Sequence, residues 1–250
     1  MLTTERHEII IQLIKEKQTI TLQDIIDATP ASESTIRRDL TDLEKQGKLV
    51  RIHGGATISE RKLQELTFSE KSTKNLQGKV NLAKYAASLV QKEDCIYLDA
   101  GSTVIQMIPY LEGQDIVVVT NGITHVEALI KHGITTYLIG GLMKAKTSAL
   151  VGQQAIESLN NYRFDKCFLG VNGFHPTHGY TTPDPEEAAV KLTASTLAQE
   201  TYVLADASKY NQISFAKVTD LKNAQLITQH IQQDDLNTLT KNTTVKVVDT

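Results

Sequence analysis

The sequence predicts two folded parts: a helical unit that ends in a small β-hairpin, followed by a layered α/β domain. Apolar residues recur at helical spacing through residues 1–58, whereas helical patterns alternate with short β-branched runs from residue 77 onward. The 250 residues are enough for two modest domains, and 40% hydrophobic with 22% charged residues is typical of globular proteins. The polar segment 59–76 between the two parts is predicted to be a linker.

The composition also restricts the partners and the compartment. The 26 basic and 29 acidic residues give a net charge of −3, which excludes an overall basic nucleic-acid coat but permits a local basic patch. Cys95 and Cys167 have neither the spacing of a zinc site nor that of a disulfide framework, so a reducing compartment is expected. No apolar run approaches the ~18 residues of a membrane span. We therefore expect a cytoplasmic protein that needs no membrane, cofactor or metal.

The first two helices are predicted from apolar spacing and from a capping pattern. The first is expected over residues 4–17. The second is expected to begin at Thr21, whose hydroxyl can cap the helix while Asp24 completes a capping box. In the first helix Ile9, Leu13 and Ile14 share a face with Leu2 and Arg6, and in the second helix the predicted buried stripe consists of Leu22, Ile25 and Ile26.

The third helix is predicted from a break at Pro30 and an N-cap at Ser32. Ile36, Leu40 and Leu43 follow at spacings of four and three residues, which places them on one inner face of this helix.

A glycine and a hairpin complete the first part. Gly47 is expected to end the third helix, because glycine is the usual residue just after a helix terminus. Residues 48–58 contain two short alternating apolar runs around Gly54 and Gly55, and this pattern predicts a small β-hairpin. The predicted order is therefore helix, helix, turn, helix and β-wing.

The exposed face of the third helix carries the residues that favour contact with DNA. A helix fits the major groove of B-DNA and contacts bases with its first turns. Arg37 and Arg38 point about 100° apart, so one is expected to reach a guanine edge and the other a phosphate. The candidate DNA contacts are Ser34, Thr35, Arg37 and Arg38 on the helix and Arg51 and His53 in the hairpin.

A helical interaction module with a solvated charged face is the alternative for residues 1–58. The eight basic and nine acidic residues of this part favour that alternative. The distribution of charge favours DNA, because Lys45, Lys48 and Arg51 continue the positive charge from the arginine pair into the hairpin.

The run SESTIRRDLTDLEKQGKLVRIHGGA resembles the winged helix-turn-helix signature of the DeoR family of bacterial transcriptional regulators. Its Ser-x-x-Thr-Ile-Arg-Arg-Asp-Leu core, its Leu-Glu pair and its terminal His-Gly-Gly-Ala occur at the family's spacing. The resemblance implies that the arginine pair lies on the recognition helix and that the protein binds double-stranded operator DNA as a repressor of sugar metabolism. It also implies that Asp39 pairs with or orients an arginine instead of contacting DNA.

The second part is predicted to be a parallel sheet with helices on its faces. Ile116, Val117, Val118 and Val119 are apolar on successive residues, which indicates a strand covered on both faces. Strands are predicted over 95–98, 115–119, 135–139, 166–171, 201–205, 225–228 and 244–248, and helices over 78–91, 103–111, 123–131, 153–160, 184–199 and 232–239.

The loops after these strands carry residues suited to a phosphorylated ligand. Open α/β sheets bind ligands at the carboxyl ends of their strands. The loop over residues 99–103 combines a glycine, two hydroxyls and a helix N-terminus, and it lacks the spacing of nucleoside-triphosphate and dinucleotide loops. The candidate effector contacts are Asp99, Gly101, Ser102, Thr103, Thr120, Asn121, Gly140, Gly141, Asn172, Gly173, Glu187, Lys191, Asp206 and Lys209.

These loops resemble the C-terminal sensor domain of DeoR-type regulators, which is similar to ribose-phosphate isomerase. The resemblance implies a phosphorylated sugar as effector. The N-terminus and the LDAGST loop look most like the fructose-operon repressors of Gram-positive bacteria, which implies fructose 1-phosphate or a similar compound. Residues 77–250 would sense this ligand and mediate self-association, because a specific operator needs at least two winged units. Dimer and tetramer both remain open.

Two other functions remain open from the sequence. A sugar-phosphate isomerase with an attached DNA-binding unit would use Asp99, Glu187, Asp206 and Lys209 for proton transfer and enediolate stabilisation. A structural DNA-associating protein would bind no sugar phosphate. A regulator is preferred over an enzyme, because a complete winged unit is present and a sensor needs no turnover.

Overall fold

The computed structural model describes residues 1–17, 19–46, 48–52, 54–58 and 65–248. The chain forms two compact units, Met1–Arg61 and Lys62–Thr250. Within the described ranges no helix is long and apolar enough to cross a membrane, and no cluster of His, Cys, Asp and Glu side chains could hold a metal ion.

The first unit packs three helices against a small antiparallel sheet. Its described elements are α1 (Thr3–Lys17), β1 (Thr19–Thr21), α2 (Leu22–Ala28), α3 (Glu33–Lys45), β2 (Leu49–Ile52) and β3 (Gly55–Ile58). Strand β3 lies between β1 and β2, so a third strand joins the predicted hairpin. Strand β1 was not predicted, because three residues between two helices show no strand periodicity.

Local hydrogen bonds explain where α2 and α3 begin. Thr21 Oγ1 accepts a hydrogen bond from Asp24 N at 3.1 Å, and Thr21 N donates to Asp24 Oδ2 at 2.8 Å, which confirms the predicted capping box. Ser32 Oγ accepts from Thr35 N at 3.3 Å and caps α3, as predicted. Gly47, the predicted end of this helix, lies outside the described residues.

The core of the first unit is closed by one apolar face from each helix. The predicted face of α3 is confirmed, whereas α1 is rotated from its prediction: Ile10 is fully buried, while Ile9 and Leu13 are half-buried. Arg6, which the spacing places on the predicted face, is buried one turn before Ile10, and an ion pair with Asp39 compensates for its burial, whereas Leu2 of the same predicted face is exposed. The buried hydrophobic residues are Ile10, Ile14, Ile20, Ile25, Ile36, Leu40, Leu43, Leu49 and Ala56.

The second unit is a layered α/β domain. Its described α-helices are α4 (Phe68–Thr73), α5 (Leu76–Ala87), α6 (Ile123–Lys131), α7 (Gln153–Leu159), α8 (Pro185–Thr196) and α9 (Gln233–Thr240). Its described strands are β4 (Cys95–Leu98), β5 (Val117–Thr120), β6 (Thr135–Leu138), β7 (Leu142–Lys144), β8 (Ala149–Val151), β9 (Phe164–Gly170), β10 (Gly173–His175), β11 (Gly179–Thr182), β12 (Ala198–Leu204), β13 (Ala216–Thr219), β14 (Gln225–Thr228) and β15 (Val245–Val247).

Of the strands in the described ranges, seven form one parallel sheet in the order β15-β14-β12-β9-β4-β5-β6. Successive residues of β4 face opposite sides, so Ile96 belongs to one hydrophobic cluster and Tyr97 to the other. Val118 and Val119 likewise fall into different clusters, which confirms the prediction of a strand covered on both faces.

The helices and strands of this sheet lie within a few residues of their predicted positions, and the differences have local causes. The predicted helix over 103–111 is a 3₁₀ helix at Val104–Tyr110, which contains Pro109, a residue without a backbone N–H. The hairpin of β7 and β8 and the small antiparallel sheet of β10, β11 and β13 were not predicted. Their strands have only three or four residues, too few to show alternation.

The described part of the predicted linker is folded into the second unit, so the linker prediction is wrong for residues 65–76. Helix α4 begins with a capping box between Thr67 and Glu70, a spacing that could have predicted the helix. Phe68 N donates to Lys146 O at 2.9 Å and fixes this part of the chain to the β7–β8 hairpin. Residues 59–64 lie outside the described residues. Residues 65–75 are called the 65–75 segment below.

Candidate functional site

Helix α3 presents its candidate DNA contacts to solvent. Ser34, Arg37 and Arg38 are exposed and Thr35 is half-buried, while the opposite face of the helix closes the core. Ser32 Oγ lies 3.0 Å from Ser34 Oγ and 2.9 Å from Thr35 Oγ1, so three hydroxyls gather at the helix N-terminus. Hydroxyls and unpaired N–H groups at this end of a helix favour phosphate.

The two arginines of α3 differ in their surroundings. Arg37 Nε and Nη2 donate to Glu33 Oε1 at 2.9 and 2.5 Å, so the Arg37 charge is paired on the helix surface. Arg38 has neither a hydrogen-bond partner nor an ion-pair partner among the residues that the structure describes. This difference fits the expectation that the two side chains have different roles, and Arg38 is the cation available for a direct contact.

Arg51 joins the hairpin to α3. Its backbone N donates to Glu44 Oε1 at 2.8 Å, and its Nη1 donates to Thr41 Oγ1 at 2.9 Å. The exposed guanidinium of Arg51 therefore lies beside the recognition helix. His53, the other candidate in the hairpin, lies outside the described residues.

A buried ion pair connects α1 to α3. Arg6 Nε donates to Asp39 Oδ2 at 2.5 Å, Arg6 Nη2 donates to Asp39 Oδ1 at 2.9 Å, and both side chains are buried. His7 Nε2 lies 3.1 Å from Asp39 Oδ1. Burial alone would raise the pKa of Asp39, but Arg6 and His7 lower it below its ordinary value. Asp39 therefore pairs with an arginine as expected, and that arginine is Arg6.

The described residues of the second unit enclose a cavity of about 130 Å³ at the carboxyl ends of β4, β5, β9 and β12. Parallel strands end at the same edge of a sheet, so loops that are distant in sequence meet there. Most of the candidate effector residues line this cavity. They are Asp99, Gly101, Ser102, Thr103, Asn121, Asn172, Glu187, Lys191, Asp206 and Lys209.

Four candidate effector residues do not line the cavity, so the prediction is corrected for Thr120, Gly140, Gly141 and Gly173. Thr120 is fully buried, and its Oγ1 donates to a backbone carbonyl of β4 at 2.6 Å. Gly173 begins β10 and packs against the backbone of residue 212. Gly140 and Gly141 follow β6, which is the last strand of the sheet and is separated from β4 by β5.

A buried ion pair forms part of the cavity wall. Lys191 Nζ donates to Asp99 Oδ1 at 2.6 Å and to Asp99 Oδ2 at 2.5 Å, and Gly170 N donates to Asp99 Oδ2 at 3.0 Å. Burial alone would lower the pKa of Lys191, but Asp99 and Glu187 raise it above its ordinary value. Because both carboxylate oxygens accept hydrogen bonds, the Asp99 side chain is held in place.

Glu187 connects three elements around the cavity. Its Oε1 accepts hydrogen bonds from Thr147 Oγ1 at 2.7 Å and from Lys144 Nζ at 3.0 Å. Lys144 Nζ also lies 2.6 Å from Asp184 Oδ2 and 3.5 Å from Glu65 Oε2. Burial alone would raise the pKa of Glu187, but the neighbouring lysines and threonine lower it, so this carboxylate is ionised. The network links the 65–75 segment, β7 and α8.

Three lysines of the cavity have no carboxylate partner at ion-pair distance in the described part of the chain: Lys74 is exposed, Lys209 is half-buried and Lys79 is buried. Lys79 Nζ donates to Ser102 Oγ at 3.1 Å and to the backbone oxygen of Lys71. Burial lowers the pKa of Lys79 and of Lys209 below the ordinary value, with Asp206 opposing this effect and neighbouring lysines adding to it. An anion bound beside these two side chains would stabilise their charged forms.

The parts of the cavity wall that were not predicted include Lys79, the 65–75 segment, and Thr147 and Ala149 of the β7–β8 hairpin. Lys79 could have been predicted, because it shares the buried face of α5 with Leu82 and Ala83, and a lysine on the apolar face of a predicted helix indicates a special role. For the segment, the capping box was the only local sign of structure. Its cavity-lining residues are Leu66, Phe68, Lys71, Lys74 and Asn75.

Comparison with known families identifies both units. The DeoR-like helix-turn-helix domain matches residues 6–62, and the DeoR C terminal sensor domain matches residues 74–230. The chain is 47% identical to the uncharacterized HTH-type transcriptional regulator FruR of Bacillus subtilis, over 99% of both chains. It is 30% identical to the lactose phosphotransferase system repressor of Staphylococcus epidermidis, over 89% of this chain and 90% of that protein.

Among solved structures, ribose 5-phosphate isomerase A from Neisseria gonorrhoeae matches 53% of this chain and 52% of its own chain, with 19% sequence identity and a TM-score of 0.39. FruR and the lactose phosphotransferase system repressor are named as a transcriptional regulator and a repressor, which confirms the preference for a regulator over an isomerase. The resemblance predicted from the recognition helix and from the strand-end loops is confirmed over both units. The chain belongs to the DeoR family of helix-turn-helix transcriptional regulators.

Proposed function

We propose that the protein is a ligand-controlled repressor of a sugar-metabolism operon. In this proposal α3 and the hairpin bind double-stranded operator DNA, and the cavity of the second unit binds a phosphorylated sugar. The protein acts as a homo-oligomer, because one winged unit contacts only one half-site of an operator. Similarity to a protein named as a lactose phosphotransferase system repressor supports the assignment to sugar metabolism.

The choice of a phosphorylated sugar as ligand rests on the net charge of the residues that line the cavity. Among the described residues that line it, five lysines face three carboxylates, which leaves an excess of two positive charges. A phosphate ester carries about −1.5 to −2 charges near neutral pH and would balance this excess. The lysines are Lys71, Lys74, Lys79, Lys191 and Lys209, and the carboxylates are Asp99, Glu187 and Asp206.

The positions of these groups indicate how the ligand is oriented. We propose that the phosphate binds beside Lys79 and Lys209, because both lysines line the cavity next to the hydroxyls and the glycine of the loop over residues 99–103. Asp206 Oδ1 accepts a hydrogen bond from Ser208 N at 3.0 Å and so positions the turn that carries Lys209. The sugar hydroxyls are placed toward Glu187. Fructose 1-phosphate is the first compound to test, because the LDAGST loop resembles that of fructose-operon repressors.

The 65–75 segment is the proposed route from ligand to DNA. It follows the winged unit in the sequence, and Phe68 and Lys71 line the cavity. Lys71 Nζ donates to Glu65 Oε1 at 2.8 Å, so an anion in the cavity would compete with Glu65 for this ammonium group. A ligand that changes these contacts would change operator affinity, typically by about 1–3 kcal/mol of coupling free energy.

Thermal stability in the presence of fructose 1-phosphate tests the ligand class. We expect the wild-type protein to be stabilised by fructose 1-phosphate and not by fructose. Lys209→Ala should remove this stabilisation and leave operator affinity without ligand unchanged, because Lys209 lies in the second unit. Lys217→Ala is the matched control, since Lys217 is exposed and pairs only with Asp220 in the described residues. Equal stabilisation of Lys209→Ala and wild type would contradict the proposed phosphate position.

A further inference from the structure

The second unit exposes a cluster of large apolar side chains around β6. Five residues on three successive elements form it: α6 packs against β6, β7 follows β6 in the chain, and the two β6 residues face opposite sides of the sheet at its edge. We call this cluster the β6 surface. Its exposed fractions are 71% for Ile130, 51% for Tyr137, 44% for Leu138, 64% for Leu142 and 56% for Met143. Apolar surface concentrated in this way marks a site of association.

Strand β6 is also an unprotected edge of the parallel sheet. It is the last strand, so one side of its backbone has no strand partner within the described sheet. Soluble proteins protect such edges with charged residues, proline or bulges, but Thr135–Leu138 contains none of these residue types. The opposite edge strand, β15, does carry a charge, at Lys246. The charged edge at β15 therefore discourages pairing with another strand, whereas the uncharged edge at β6 does not.

From these observations we propose that the β6 surface binds the β6 surface of a second copy of this chain. A two-fold axis beside the middle of β6 would pair the two strands antiparallel and satisfy their free backbone groups. Because the strand is uncharged, pairing it with its own copy brings no like charges together. A polar or charged partner would leave the apolar side chains without matching surface.

The available area agrees with such an interface. Taking about 200 Å² for a fully exposed large side chain, the five fractions correspond to roughly 600 Å² per copy. A stable interface needs about 800 Å² per partner, and the backbone edge and its polar surroundings supply the remainder. The choice of a second copy as occupant rests on the proposed function, because a specific operator requires at least two winged units.

Sedimentation of the full chain tests this surface without DNA or ligand. We expect the wild-type protein to sediment as an oligomer and the double variant Leu138→Glu/Leu142→Glu to dissociate at least about 30-fold more readily. Phe215→Glu is the matched control, because Phe215 is 58% exposed and lies outside the β6 surface. This control should keep the wild-type mass, and all three proteins should have the same far-ultraviolet circular dichroism spectrum, since the changed side chains are exposed and each chain stays folded.

A wild-type protein that sediments as one chain of 27.6 kDa would overturn the inference, as would an unchanged mass in the double variant or dissociation of the control. The stabilisation by fructose 1-phosphate is measured on the same proteins. If the double variant dissociates while no sugar phosphate stabilises the wild type, the β6 surface stands and the proposed effector fails. If the double variant keeps the wild-type mass while fructose 1-phosphate stabilises the wild type, the β6 surface fails and the proposed effector stands.

Discussion

Helix α3 and the cavity of the second unit both carry cations that we propose to bind phosphate, but these cations lie in opposite environments. Arg38 is exposed and has no partner among the described residues, whereas Lys79 is buried against the loop that begins at Asp99. Exposed cations suit DNA, because a duplex supplies many phosphates and its binding is driven by release of counterions. Buried lysines suit a single small anion, because the protein has removed water from them before the ligand arrives.

The two sites also share one arrangement, since each combines a paired cation with an unpaired one. On α3 the paired cation is Arg37, held by Glu33, and in the cavity it is Lys191, held by Asp99. The pair on α3 is half-exposed on both side chains, whereas the pair in the cavity is almost fully buried. This comparison indicates that burial, and not the presence of an ion pair, determines how much each pair contributes to stability.

The largest expected effect comes from breaking the buried pair. Lys191→Met leaves the Asp99 carboxylate buried without its counter-charge, so the free energy of unfolding should fall by about 3–5 kcal/mol. Urea denaturation measures this loss. Glu33→Gln, which breaks the exposed pair, is the control and should lower the free energy of unfolding by less than about 1 kcal/mol. Equal losses in the two variants would contradict the comparison.

An intermediate effect is expected from the exposed arginines. Arg38→Ala should weaken operator binding by about 1–3 kcal/mol, measured by fluorescence anisotropy at one fixed salt concentration. Arg37→Ala should weaken it less, because Glu33 already neutralises part of the Arg37 charge. Arg163→Ala, on the surface of the second unit, controls for loss of a positive charge. Operator binding that survives both substitutions on α3 would show that this helix does not contact the groove.

The smallest expected effect is a loss of stability of the first unit as the pH falls into the acid range. The folded-state pKa of Asp39 is lowered, so its ion pair stabilises the unit fully above the ordinary aspartate pKa of about 3.9 and loses this contribution as pH falls below it. Asp39→Asn removes this acid-dependent contribution and also leaves Arg6 buried without its counter-charge, so the small effect that we expect is the part of the loss that changes with pH. Hydrogen-exchange protection of peptides from α1 and α3, compared between the two proteins at matched pH, measures it. A difference that stays constant from pH 6 to the acid limit of folding would contradict this assignment.

Features that depend on neighbours three or four residues apart were predictable from the sequence. The capping box at Thr21, the cap at Ser32 and the buried face of α3 follow from such spacings, and together they determine that Arg37 and Arg38 face solvent. Alternating helical and β-branched runs likewise predict a parallel sheet, and a parallel sheet brings the loops after its strands to one edge. Most of the candidate cavity residues were found for that reason.

The contacts that the sequence did not show join residues far apart in the chain. Arg6 and Asp39 are 33 positions apart, and Asp99 and Lys191 are 92 positions apart. No local spacing indicates which carboxylate a buried cation will meet, so the rotation of α1 and the partner of Asp99 required the folded chain. The role of Lys79 in the cavity depends in the same way on a loop elsewhere in the second unit.

The sequence by itself determined the DeoR family, the winged unit with its exposed arginines, and a phosphate-suited edge of a parallel sheet. Only the tertiary structure decided that the 65–75 segment forms part of the cavity wall and, within the described ranges, which lysines lack a counter-charge and that β6 is an edge without a neighbouring strand. The physical reason is that propensity and capping act within a few residues. Desolvation and ion pairing depend on whichever side chains the packed fold brings within a few ångströms.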